Sequence, residues 1–153
     1  MLSNSAVFLS RYILFLATGF VLPGLFHQKK HHTIVDLFRA TLARNPIKAA
    51  FIFEGKSWTF QEVEDYSNRV ANYFKSCGYQ KGDVIALFME SSPEFVCMWL
   101  GLAKIGVVSS LINFNLRLDS LFHCVNVCKA KGLIFGADLG GEFCKAEERH
   151  GDN

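Results

Sequence analysis

Downstream of residue 32 the apolar positions change period several times, and the changes mark the elements. Thr33 and Asp36 stand three apart before Ile34, Leu37, Phe38 and Leu42, a capping-box spacing that opens a short amphipathic helix ended by Asn45-Pro46. Ala50 to Phe53 and Ser57 to Phe60 are β-prone runs around Glu54-Gly55-Lys56, which predicts a hairpin. Thr59 and Glu62 form a second capping box. The helix that follows carries Val63, Tyr66, Val70, Phe74 and Cys77 on one stripe, and Gly78 supplies its stop. Lys81-Gly82-Asp83 turns into Val84-Ile85-Ala86-Leu87-Phe88-Met89, a run without alternation, as expected for a strand covered on both faces. Ser92-Pro93 is a cap followed by proline at the first helical position, and this helix extends through Trp99 and Ala103 to Gly106. Val107 to Ile112 predicts the next strand, Asp119 to Lys129 a helix, and Leu133 to Phe135 a third strand. The strand starts at 84, 107 and 133 are spaced as a strand, a helix and two loops require. The pattern is therefore α/β: a partial doubly wound, right-handed parallel sheet of β-α-β-α-β order, preceded by a helix and a small hairpin.

The first 26 residues have a different texture. They carry one charged side chain, Arg11, and Tyr12 to Phe26 are fifteen uncharged residues. As a continuous helix, Ala6 to Phe26 would span about 31 Å at ~1.5 Å per residue, close to a bilayer's hydrocarbon thickness, although Pro23-Gly24 shortens it. A cleaved signal peptide fits poorly, because the positive charge does not precede the apolar core and Ala17-Thr18-Gly19 is a weak cleavage site. A helix apolar on every face is also hard to bury in a small domain. An uncleaved membrane anchor, crossing or lying in the interface, is the expectation for 1–26. His27-Gln28-Lys29-Lys30-His31-His32 forms a basic juxtamembrane collar over 27–32, which by the positive-inside rule leaves the downstream part cytosolic.

Composition narrows the class. The 153 residues are 50% hydrophobic with a net charge of +2, too apolar for a disordered chain and too balanced for a nucleic-acid binder. Five cysteines without a C-x-x-C make neither a disulfide framework nor a zinc site and fit a reducing compartment.

Chemical motifs are few. Gly132, Gly136, Gly140 and Gly141 match neither dinucleotide nor phosphate-loop fingerprints and read as turn glycines. His123, Cys124 and Cys128 sit where core packing accounts for the cysteines better than a metal does. Glu90 and Glu94 flank a strand-to-helix turn as helix-dipole partners. No catalytic residue and no metal ligand is assigned. The candidates for ligand binding are Asn115 and Arg117, in Asn113-Phe114-Asn115-Leu116-Arg117, because ligands of open α/β sheets bind beyond the carboxyl ends of strands. A guanidinium and an amide there suit a phosphate or carboxylate; otherwise the asparagines cap the turn and Arg117 pairs locally with Asp119 or a neighbouring helix.

Three stretches taken together, SWTFQEVEDYSNRVANYF (57–74), KGDVIALFMESSPEFVCMWLGLAKIGVVSSLINFNLR (81–117) and KGLIFGADL (131–139), resemble the N-terminal region of AMP-forming acyl-CoA synthetases. Thr59-Phe60 with Ser67, Asn68, Val70 and Ala71, then Gly82-Asp83-Val84, is similar to the wider adenylate-forming superfamily. Pro93-Glu94-Phe95, Trp99 to Lys104, Asn113-x-Asn115-Leu116-Arg117 and Ile134 to Ala137 are similar to the fatty acid transport protein, or very long-chain acyl-CoA synthetase, family. The resemblance covers Thr33 to Leu139 and assigns 33–139 to a truncated AMP-binding-type domain. It implies a membrane-bound ligase of the endoplasmic reticulum or plasma membrane. That ligase joins a long-chain or very long-chain fatty acid to coenzyme A through an acyl-adenylate, using ATP and magnesium. The family's Ser/Thr/Gly-rich phosphate loop, aromatic-Thr-Glu segment, ribose-binding aspartate and C-terminal lysine have no match here, so none of its catalytic residues carries over. Residues 142–153 hold six charged side chains in twelve, and 140–153 is expected to be a disordered tail. The expected partners are the lipid bilayer, the fatty acid in the complete enzyme and a full-length synthetase subunit, with no nucleic acid. A membrane-tethered, non-catalytic interaction module of a truncated isoform is the alternative.

Overall fold

The computed structural model describes residues 32–141 and 144–145. The leader expected at 1–26 and the collar His27 to His31 lie outside the described residues. Among the described residues no helix is long and apolar enough to cross a membrane. The chain divides into a unit ending at Leu37 and a second running from Phe38 onward. At the end of the first, Thr33 Oγ1 accepts the Asp36 N–H at 3.2 Å while the Asp36 carboxylate accepts the Thr33 N–H at 2.9 Å. This reciprocal cap opens helix α1 (Ile34–Arg44).

In the second unit, strands β1 (Ala49–Phe53) and β2 (Lys56–Thr59) pair antiparallel. Their two-residue turn has positive φ at both Glu54 and Gly55, the backbone hand that matches the strands' own twist. Thr59 then caps helix α2 (Phe60–Ser76) in the expected capping box with Glu62. Gly78 takes φ +87 just past its end, which glycine adopts without a Cβ clash.

Three strands make the main sheet: β3 (Val84–Phe88), β4 (Val108–Leu111) and β5 (Gly132–Phe135), all parallel, in the order β4-β3-β5. Helix α3 (Pro93–Lys104) connects β3 to β4, and α4 (Leu118–Val127) connects β4 to β5 across β3. Crossovers of one hand that move in opposite directions along a sheet place their helices on opposite faces. The core shows this. Leu102 of α3, with Val107, packs on Ile85, whereas Leu121 of α4 packs on Ala86 and Phe88 from the other side. Ile85, Ala86, Leu87 and Phe88 are all fully buried, which is why β3 reads as an unbroken apolar run.

The α/β class, the parallel three-strand sheet and the preceding helix and hairpin agree with the sequence pattern. Boundaries move slightly. Phe60 opens α2 instead of closing β2, and Val107 and Ile112 flank β4. A 3₁₀ turn, Ala137–Leu139, follows β5 and buries Leu139 under the α4 face. Beyond it, Gly140, Gly141, Cys144 and Lys145 are helical, and the rest of the expected tail lies outside the described residues.

Candidate functional site

In a β4-β3-β5 order the chain reverses direction between β3 and β5, and the carboxyl ends of the strands form the edge where such sheets bind ligands. Three loops meet this edge: 89–92 after β3, 112–117 after β4 and 136–138 after β5. The sequence candidates sit on the second. Asn113 Oδ1 accepts the Asn115 N–H at 3.0 Å and shapes the turn, leaving the Asn115 side chain exposed. The exposed Arg117 guanidinium folds back on its own loop, donating through Nη1 to the carbonyls of Phe114 at 2.6 Å and Leu116 at 2.8 Å. Leu118, which follows, takes φ +44, a strained conformation for a branched residue. The loop is thus held in one shape by its own polar groups. Among the described residues no three His, Cys, Asp or Glu side chains converge as metal ligands.

The residues read as packing do pack. Cys124 and Cys128 lie half-buried against the Phe88 cluster, and Cys128 Sγ contacts the Val125 carbonyl. Of the glycines read as turn residues, Gly132 instead opens β5 against Tyr79, whose hydroxyl leaves no room for a Cβ, and Gly140 and Gly141 are helical, Gly140 lying against the Phe135 ring. Ser92 caps α3 through the Phe95 N–H at 3.3 Å, with Glu94 in the first turn where the dipole favours it.

The densest polar constellation is one that the sequence pattern did not single out as a site. Lys104, in the last turn of α3, has a side chain only 3% exposed. Its Nζ donates to Glu64 Oε2 at 2.8 Å, Ser67 Oγ at 2.7 Å and Asn68 Oδ1 at 2.8 Å, all on α2. Asn68 Nδ2 in turn donates to Glu64 Oε1 at 3.2 Å. A buried ammonium is tolerable only with its three protons satisfied, and here they are. One turn earlier, Gly101 lies so close to α2 that a Cβ would come within 2.6 Å of Val70 Cγ1 and 2.8 Å of the Ser67 carbonyl. The Ser67-Asn68-x-Val70 and Gly101-x-x-Lys104 patterns, 30 residues and more apart in sequence, are the two halves of one helix contact. Their signal was Lys104, the one basic residue of α3.

Beside this contact, Trp58 and Tyr66 meet edge to face with centroids 6.3 Å apart, Lys56 stands over Trp58 and Arg69 over Tyr66. Burial, then Glu94, pushes the Tyr66 hydroxyl's pKa up. Burial also pushes the Cys97 thiol up to about 11, and Glu94 adds to it, so this cysteine is an inert core residue.

At the amino end of the sheet, Asp83 accepts the Gln80 N–H at 2.9 Å and an ion pair from Lys131. The Lys131 hydrogen bond, then the Gln80 N–H, holds the Asp83 carboxyl below its usual range. The Gly82 N–H donates to the Gly106 carbonyl at 2.9 Å, and the Val108 N–H to the Asp83 carbonyl at 2.8 Å. Gly82-Asp83 therefore ties together the points where all three strands begin.

The fold and these ties define a class. Residues 38–152 match the AMP-binding enzyme family, most of the chain, and the protein belongs to that family. The match runs past Leu139, where the quoted motifs stop. Within it, the chain is similar to the long-chain fatty acid transport proteins. It is 47% identical to long-chain fatty acid transport protein 1 of Bos taurus over 115 residues, which are 74% of this chain and 18% of that protein. It is 42% identical to long-chain fatty acid transport protein 6 of Mus musculus over 112 residues, 72% of this chain and 18% of that protein. The chain thus spans less than a fifth of the length of these relatives. Among solved structures, the N-terminal domain of FACL13 from Mycobacterium tuberculosis superposes with a TM-score of 0.69 at 27% identity, covering 74% of this chain and 29% of that one. The N-terminal subdomain of Klebsiella oxytoca NpsA, in complex with anthranilyl-AMSN, gives 0.64 at 28% identity, covering 67% and 27%.

Proposed function

We propose that this chain corresponds to the N-terminal portion of a membrane-bound, AMP-forming long-chain or very long-chain fatty acid–CoA ligase. In that enzyme, ATP, magnesium and coenzyme A serve the activation of a fatty acid through its acyl-adenylate. The similarity to the transport proteins carries this reading. The described residues supply scaffold: a parallel sheet, its covering helices and the Lys104 contact that fixes α2 to α3. Residues 1–26 are the anchor and 27–32 the basic collar that holds the scaffold against a cytosolic membrane face. Asn115 and Arg117 then shape the carboxyl edge of the sheet and bind no nucleotide by themselves. The 153-residue protein, purified and given a fatty acid, ATP, magnesium and coenzyme A, forms no acyl-CoA above a protein-free control. Measurable acyl-CoA synthesis by this chain alone would contradict the scaffold role.

One observation supports a second reading, a tethered interaction module that joins a full-length synthetase. Among the described residues β4 and β5 each pair on one side only, and Leu111 and Phe135 are about half exposed at these edges. Unpaired edges of this kind accept further strands. Affinity capture recovers a full-length synthetase if the module reading holds. A monodisperse monomer in detergent with no such partner counts against it.

A further inference from the structure

The second unit is electrically polarised along its strands. At the carboxyl end stand Glu90, Glu94, Asp119 and Asp138, with Arg117 as the one cation of the loop after β4. At the amino end gather Lys75 in the last turn of α2, Lys81 in the turn into β3, Lys104 ending α3, and Lys129 and Lys131 leading into β5, against Asp83. Cations at helix C-termini offset the helix dipoles, which accounts for Lys75 and Lys104. It does not account for Lys81, Lys129 and Lys131, which lie outside the helices. Lys104 is held by Glu64 and Lys131 by Asp83, whereas Lys75, Lys81 and Lys129 make no ion pair among the described residues. A cleft of about 510 Å³ opens between Lys75, Tyr79, Lys81 and Ile105, and a second of about 320 Å³, with Asp83 and Lys131, shares its Gly78-Tyr79 wall.

The same end is also apolar at its surface. Tyr73 is 63% exposed, Val108 53% and Val127 65%, at the last turns of α2 and α4 and the first residue of β4. Tyr73 stacks edge-on against Phe74, and Phe74 against Tyr79, so the aromatic string runs from the surface to the cleft. Lysines beside exposed tyrosine and valine are the side-chain set of a membrane interface, where the cations meet headgroup phosphates and the apolar groups enter the acyl boundary. A free phosphate would use the lysines and leave Tyr73, Val108 and Val127 with no role. We propose that the amino end of this sheet is a docking surface for an anionic lipid bilayer, with the carboxyl edge turned away from it. This rests on the side chains at that end and holds whether or not the ligase reading does.

Lysine acetylation by a water-soluble ester, read residue by residue by mass spectrometry on the full chain, tests it without interference from the leader. On phosphatidylserine-rich vesicles Lys75, Lys81 and Lys129 react about tenfold more slowly than on phosphatidylcholine vesicles, while Lys48 and Lys56 of the hairpin region are unchanged. A variant K75E/K81E/K129E, whose changes are confined to the surface and whose fold is checked by circular dichroism, keeps its binding to phosphatidylcholine and loses the phosphatidylserine-dependent increment in flotation. Unchanged acetylation, an intact increment in the variant, or equal protection by inorganic pyrophosphate without vesicles would overturn the proposal, the last by making a soluble anion the ligand.

Discussion

Lys104 ends α3 with its side chain buried against α2. With its ammonium buried and bonded to Glu64, Ser67 and Asn68, its removal leaves a carboxylate and two polar acceptors facing each other inside a helix contact. Lys104→Met is expected to destabilise the fold by about 3 kcal/mol, read as a lowered urea midpoint, and the double change with Glu64→Gln to cost less than the sum of the single changes. Gly101→Ala tests the same contact sterically and is expected to cost about 2 kcal/mol, because Val70 and the Ser67 backbone have to move. Asp83 supplies a pH signature. Its folded pKa lies below its usual 3.8, so its contribution is complete above that value and is lost as pH falls through the folded pKa. Asp83→Asn lowers the urea midpoint at pH 7, and the gap from the parent protein closes below about pH 4; a gap that widens on acidification would contradict the pairing.

At the scale of elements, most of what the structure contains was readable from side-chain spacing. Caps are local: Thr33 with Asp36, Thr59 with Glu62, and Ser92 before Pro93 are each decided within one turn, and each forms as the pattern implies. The Thr59 box is expected to contribute about 1 kcal/mol, seen as a lower thermal midpoint in Thr59→Ala. The covered strand β3 was legible because burial on both faces removes alternation. What the sequence could not show is pairing across distance. Nothing local says that Lys104 folds into α2 or that Lys131 pairs with Asp83, since each depends on where the chain returns. The candidate site was legible only as a loop at the right end of the sheet. The backbone strain at Leu118 and the internal bonding of that loop come from the fold.

For the molecule as a whole, a near-neutral net charge concealed a separation of lysines from carboxylates along the strands, because composition carries no geometry. The family match, the similarity to fatty acid transport proteins and the superposition on N-terminal adenylation domains all concern the same stretch of chain. The proposed ligase role requires this stretch to work as an exchangeable scaffold within the longer relatives. The direct measurement replaces the matching segment of Bos taurus long-chain fatty acid transport protein 1 with residues 33–139 of this chain and assays acyl-CoA synthesis in membranes. A chimera that reaches the parent's expression and retains ATP-dependent synthesis within about tenfold of the parent, a loss of no more than about 1.4 kcal/mol in barrier, is the predicted result. A chimera that folds and inserts at parental levels yet makes no acyl-CoA would contradict it.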